Sequence, residues 1–248
     1  MGIVVGFSLR QFSEVFKIRD ADGQPYVLIG GQAVNYWAER YISSEAELEK
    51  LQPFTSQDID FKGNRTDVER IAQQLNLNAN YPPKVAMTAL SGFIPFQIGD
   101  QKSSIEIVRR IAGISDRIDT PAIQAMWNGK TIRVLDPISL LASKLELAAT
   151  VQQRDRQDVV HLKILLPCVR AFLDELLQQV DLGRLPAKDW LKIVNQVLKL
   201  TTNQRAQKIA GKYHINWQDI LPLPGIAKSQ NEKIARFREK QLNPRSKE

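Results

Sequence analysis

The apolar pattern changes at Asp136-Pro137, and this change constrains the fold more than any other feature of the chain. Before it, strand-like and helix-like segments alternate. After it, the helical period runs to about residue 222 with few β signals. Asp136 offers an N-cap side chain and Pro137 a fixed φ at the first helical position, so a helix opens there. The expected organisation is an α/β (α+β) first domain over 1–136, with a mixed sheet and flanking helices. An all-helical domain over 137–227 and a charged tail over 228–248 follow.

Within the first part, Ser8 begins a helical stretch with Phe12, Val15 and Phe16 on one face. YVLIGG, residues 26–31, reads as a buried strand running into a tight turn. GQAVNYWAERY then places Ala33, Val34, Trp37 and Tyr41 at helical spacing. Ser44 with Glu47 makes a capping-box pattern for a short helix at about 45–51, and Thr66 with Glu69 makes another that opens VERIAQQL. QDIDFKG reads as a strand, and after Pro82-Pro83 three more strands are expected in KVAMTAL, FIPFQIG and SSIEIVRRI. In the second part Pro167 is expected to divide two helices and Pro186 to open another. From about Lys228 the chain is charged and nearly free of large apolar groups, which predicts a loosely packed helix or tail.

Composition excludes several classes. The 248 residues suit one large domain or two modest ones, and 43% hydrophobic with 25% charged content is ordinary for a globular protein. No apolar run approaches the ~20 residues that span a bilayer, and the first residues lack the basic region of a signal peptide. Cys168 is the only cysteine, so no intrachain disulfide forms, which fits a reducing cytoplasm. The net charge of +7 is uneven: residues 1–138 carry 15 Lys+Arg against 16 Asp+Glu, and residues 139–248 carry 19 against 11. The basic second half suits either a polyanion such as RNA or an ordinary solvated helical surface.

The chemistry-bearing residues lie in the first part. Asp58 and Asp60 sit i, i+2 on a strand and so point the same way, with Ile59 and Phe61 anchoring the other face. Two adjacent carboxylates repel, and each is costly to bury as an anion. A divalent cation relieves both problems. Mg²⁺ is the natural candidate, because it takes oxygen ligands and shares its shell with substrate phosphates. Gly30-Gly31, between a strand and a helix, allow backbone N–H groups and a helix N-terminus to approach phosphate; the plain alternative is a tight turn. Glu106 in SSIEIVRR shares a strand face with Ser104 and Val108. It is read either as a third metal ligand and general base or as a solvent-facing acid.

The order LIGGQAVNYWAERY, then TSQDIDFKG, then IEIVRR resembles the nucleotidyltransferase superfamily, the fold of DNA polymerase β, over about residues 26–110. GGQAV and TSQDIDF look most like the AbiEii-type toxin nucleotidyltransferases. The resemblance extends more faintly to Lys144 in LLASKLELAA and Asp158 in RDRQDVVHL. It implies a nucleotidyltransferase-type mixed sheet and Mg²⁺-dependent transfer of a nucleoside monophosphate from an NTP to a hydroxyl on tRNA, protein or a small molecule. Asp58, Asp60 and Glu106 would be the catalytic, metal-holding residues for one or two ions, and Gly30, Gly31, Gln32, Lys144 and Asp158 the nucleotide-binding ones. A toxin role would imply an antitoxin protein as partner. Local readings compete, with Lys144 as a snorkelling surface lysine and Asp158 as a first-turn helix acid.

Three departures are visible. Gln32 follows the two glycines, so the serine of the family's Gly-Ser form is absent. Phe54 stands near the expected place of an arginine, and the segment from Gly31 to Asp58 is long, with helix 45–51 as an apparent insertion. The alternative class is therefore an inactive nucleotidyltransferase-fold module that binds nucleotide or RNA. Neither His161 nor His214 belongs to a Cys/His cluster, and both read as structural or surface residues. Cys168 reads as a buried thiol and Trp37, Trp190 and Trp217 as core anchors. No Gly-x-Ser-x-Gly elbow supports a serine hydrolase.

Overall fold

In the computed structural model, which describes residues 6–83, 85–115, 121–154 and 156–242, a six-stranded mixed sheet is built from the first half of the chain. Its strands are β1 (Val27–Ile29), β2 (Ile59–Lys62), β3 (Leu90–Ile98), β4 (Gln101–Val108), β5 (Ala122–Trp127) and β6 (Lys130–Leu135). Their spatial order is β3-β4-β2-β1-β6-β5. The β2/β4 and β1/β6 pairs are parallel, and the others antiparallel. A 3-10 helix, Leu9–Lys17, precedes the sheet, and α1 (Gly30–Tyr41), α2 (Ala46–Glu49) and α3 (Arg65–Leu75) lie between its strands. The second half is helical, as expected: α4 (Pro137–Thr150), α5 (Asp158–Asp181), α6 (Ala187–Thr202), α7 (Gln204–Tyr213), α8 (Leu223–Lys228) and α9 (Glu232–Phe237).

Period-two alternation explains the central strands. Ile59, Phe61, Ile105 and Ile107 are buried on one face, while Asp60 and Glu106 alternate with them onto the other. Trp37 packs α1 against this core, and its Nε1 donates to the Leu135 carbonyl at 2.8 Å, tying α1 to the end of β6. The Asp136 side chain accepts from the Ile138 and Ser139 amides, the cap foreseen for α4.

Five local expectations are corrected. KVAMTAL is not a strand: Lys84 lies outside the described residues, 85–89 form no strand, and Val85 and Met87 are fully exposed, so no element covers their apolar side chains. The cap of α3 is Asn64, paired with Asp67, rather than Thr66 with Glu69. The cap position of α2 is Glu45, because the Ser44 hydroxyl donates back to the Tyr41 carbonyl. Pro167 sits inside one continuous α5. A proline removes one hydrogen bond from a helix, but residues 164–169 are all buried, and that packing carries the helix through. Finally, Ile234 and Phe237 are buried, so 232–237 is not loosely packed.

The strands β5 and β6 were not expected. They form a hairpin whose turn, Asn128-Gly129, takes positive φ at both residues (47° and 73°), the backbone that Asn-Gly favours.

Two buried clusters result, and α5 serves both. Ile164, Leu165, Cys168 and Ala171 join the sheet-side cluster. Leu162, Leu166, Val169, Leu173, Leu177 and Val180 join the helical one, which centres on Trp190. These residues form two adjoining stripes at helical spacing. Trp190 is fully buried, donates to the Leu173 carbonyl at 2.9 Å, and meets Phe237 edge to face at 6.2 Å between ring centroids. Trp190→Ala is expected to cost ~3–5 kcal/mol, to be measured as a lower midpoint in urea unfolding.

Candidate active site

The site is assembled across three adjacent strands. In the β1/β2 register Ile29 faces Asp60, and in the β2/β4 register Asp60 faces Glu106. Asp58 is the residue just before β2. The ligand oxygens of Asp58, Asp60 and Glu106 lie within 4.8 Å of one another. All three carboxylates are half-buried and line a cleft of about 300 Å³.

Crowding shows in their proton affinities. Burial, then Asp58 and Glu106, push the Asp60 carboxyl well above the ordinary range, against a weaker opposing pull from Lys144 and the Gly31 N–H. Burial and Asp58 likewise push Glu106 up, with Arg156 opposing. An all-oxygen set of this kind fits Mg²⁺ better than a soft metal.

The glycines make room for the acids. Gly30 has φ +67°, and a Cβ built on it would lie 1.9 Å from the Asp60 Oδ2. A Cβ on Gly31 would lie 2.4 Å from the Ser56 Oγ and 3.0 Å from the His161 Cε1. No side chain fits at either position without displacing the site.

Lys144 and Asp158 come together, and neither local reading covers what they do. The Lys144 Nζ is 3.0 Å from the Asp158 Oδ1, and the Arg156 Nε is 2.6 Å from the Oδ2. Lys144 is buried rather than snorkelling, and Asp158 is a first-turn acid that also serves as a buried counterion. Burial alone would raise the Asp158 carboxyl, but Lys144 and Arg156 outweigh it and hold it below its usual value.

Gln32 does not reach the cleft with its side chain. It is fully buried; its amide nitrogen donates to the Phe7 carbonyl at 2.9 Å, and its oxygen accepts from Asn35 at 3.1 Å.

Among the cleft residues that the sequence did not single out are Ser56, Arg156 and His161. His161 follows Asp158 by three positions, which places both on one helix face, a spacing already visible in RDRQDVVHL. It is buried, and its Nδ1 has no hydrogen-bond partner. Burial, with Lys144 and Arg156 nearby, lowers its pKa from 6.5 to about 3, against a contrary pull from Asp158. Cys168 is the buried thiol expected, and burial pushes its pKa up.

No protein-family model and no curated protein matches the chain. Among solved structures, the antibiotic-resistance factor ANT(2'')-Ia is similar at 15% identity and TM-score 0.44, covering 83% of this chain and 95% of that one. An antigenic nucleotidyltransferase-like protein from Paracoccidioides brasiliensis is similar at 10% identity and TM-score 0.40, covering 65% and 71%. Neither likeness is deep enough to carry an activity across.

Two outcomes are expected. Gly30→Ala will fold with reduced stability, measured as a lower midpoint in urea unfolding, because its Cβ displaces Asp60. His161 gives the acid side of the stability profile a slope. The unfolded chain takes up a proton near 6.5 and the folded one only near 3, so the stability present above 6.5 is lost as pH falls between these values. His161→Gln will show a shallower loss across that window by denaturant unfolding.

Proposed function

We propose that the protein is a Mg²⁺-dependent nucleotidyltransferase that moves a nucleoside monophosphate from an NTP to a hydroxyl acceptor and releases pyrophosphate. The observation that carries this reading is the triad of carboxylates, with ligand oxygens within 4.8 Å, held across adjacent strands beside a glycine turn. The resemblance of LIGGQAV, TSQDIDF and IEIVRR to the superfamily supports it independently of the geometry.

In this reading Asp58, Asp60 and Glu106 hold one or two Mg²⁺ ions, whose chemistry when bound is to neutralise charge on the triphosphate. Glu106 takes the proton of the acceptor hydroxyl onto a carboxylate oxygen. The freed oxygen attacks the α-phosphorus, and the bond from that phosphorus to the pyrophosphate oxygen breaks. Lys144, fixed by Asp158, places its ammonium charge near Asp60 and the incoming phosphates. Gly30 and Gly31 let the N-terminus of α1 approach them. Gln32 contributes only its backbone, since its amide is engaged in the interior.

The positive excess in residues 139–248 favours a polyanionic acceptor such as tRNA. No helix among the described residues is long and apolar enough to cross a membrane. A toxin role, with its antitoxin, rests on the resemblance alone.

The test is transfer of label from α-³²P NTPs with Mg²⁺ into tRNA, protein or small-molecule pools. Asp58→Asn and Asp60→Asn are each expected to lower incorporation by at least about a thousandfold while leaving the fold intact. Wild-type labelling by either variant would refute the assignment. Mg²⁺-dependent nucleotide binding without labelling in any pool would turn the reading toward a binding module.

A further inference from the structure

The start of α1 offers the cleft no side-chain donor, since residues 30 and 31 are glycine and the Gln32 side chain turns inward. The Gly31 N–H is engaged by Asp60, and the Gln32 amide by the interior. Ser56 stands in the same place. Its backbone pairs with Phe7 through hydrogen bonds of 2.8 and 3.0 Å, which fix it beside the helix start. It lines the cleft, although the residue is only 5% exposed.

A Cβ on Gly31 would meet the Ser56 Oγ at 2.4 Å and its Cβ at 2.9 Å. The Ser56 side chain therefore fills the volume that a side chain at 31 would take, and it does so from a neighbouring segment. Its hydroxyl donates to the Asp58 Oδ1 at 3.2 Å, a long contact for an O–H donor. A hydroxyl has one proton and rotates to suit its strongest acceptor.

We infer that Ser56 donates a hydrogen bond to a phosphate of the nucleotide bound in this cleft, in place of a side chain on Gly31. The inference rests on the nucleotidyltransferase reading. The contact with Asp58 is long, so a charged phosphate oxygen at normal hydrogen-bond distance is the better acceptor, and the proton turns to it when the cleft fills. Residue 31 stays glycine because the space is taken, and the donor comes from the segment that also carries Asp58.

The experiment measures binding of inorganic tripolyphosphate with Mg²⁺, and of Mn²⁺ alone, by calorimetry. The proteins are wild type, Ser56→Ala, Gly31→Ser and the exchange Gly31→Ser/Ser56→Gly, with circular dichroism as the check on folding. Ser56→Ala is expected to weaken tripolyphosphate about tenfold, the size of one hydrogen bond to a charged group, and to leave Mn²⁺ affinity unchanged. Gly31→Ser alone will bind less well than wild type, because of the contact with Ser56. The exchange will recover part of the affinity, since the hydroxyl returns from the other side of the same gap while the new Cβ still meets the His161 Cε1 at 3.0 Å. Unchanged tripolyphosphate binding in Ser56→Ala overturns the inference and leaves the parent reading intact. An equal loss of Mn²⁺ affinity also overturns it, by making Ser56 a positioning residue for Asp58. A folded exchange variant without recovery does the same. Wild-type protein that binds Mn²⁺ but neither tripolyphosphate nor NTP defeats the parent reading and this one together.

Discussion

Repulsion among Asp58, Asp60 and Glu106 is the constraint on which the rest of the cleft depends. Three half-buried carboxylates within 4.8 Å do not hold together unless something rigid imposes their spacing. The sheet does this. Asp60 is flanked by Ile29 on one side and Glu106 on the other, and the alternate residues of β2 and β4 are locked into the sheet-side core. The same crowding explains the glycine at 30. Asp60 already occupies the volume its Cβ would need, so the strand-to-helix turn and the acid are one design problem.

Positive charge reaches this group from the helical half. Lys144 on α4 and Arg156 before α5 both engage Asp158, which is almost wholly buried. A buried anion with two cationic partners keeps its charge, and the pair of cations is in turn held in place. Lys144 therefore faces Asp60 with its position fixed by Asp158, whereas a free lysine would leave a long side chain to be ordered on binding.

What was legible in the sequence is what local rules carry. Period two put Asp60 on the face opposite Ile59 and Phe61, although the strand begins only after Asp58; an Asp-Pro pair announced α4, and the glycine pair marked the turn into α1. What was not legible depends on pairing and packing. The register that sets Asp60 opposite Glu106 leaves no mark in either segment alone. Ser56 and Arg156 matter only because distant segments meet there. At Pro167 a sound local rule lost to burial, because both stripes of α5 are covered on either side of it. KVAMTAL erred in the other direction: apolar alternation with nothing to pack against is not a strand. The hairpin β5/β6 does carry a local signal, Asn128-Gly129 between two strand-forming runs.

The double stripe on α5 has a consequence for how this chain can be recombined. The helix delivers Asp158 and His161 to the cleft, seals one side of the sheet with Ile164, Leu165, Cys168 and Ala171, and anchors the helical cluster from Leu162 to Val180. A cut at the apparent boundary near residue 137 would strip the sheet of part of its own wall and the cleft of Lys144, Arg156, Asp158 and His161. The minimal unit able to fold around the carboxylates therefore runs through most of α5. Any exchange of the helical half for another must keep that helix with the sheet and graft at its far end.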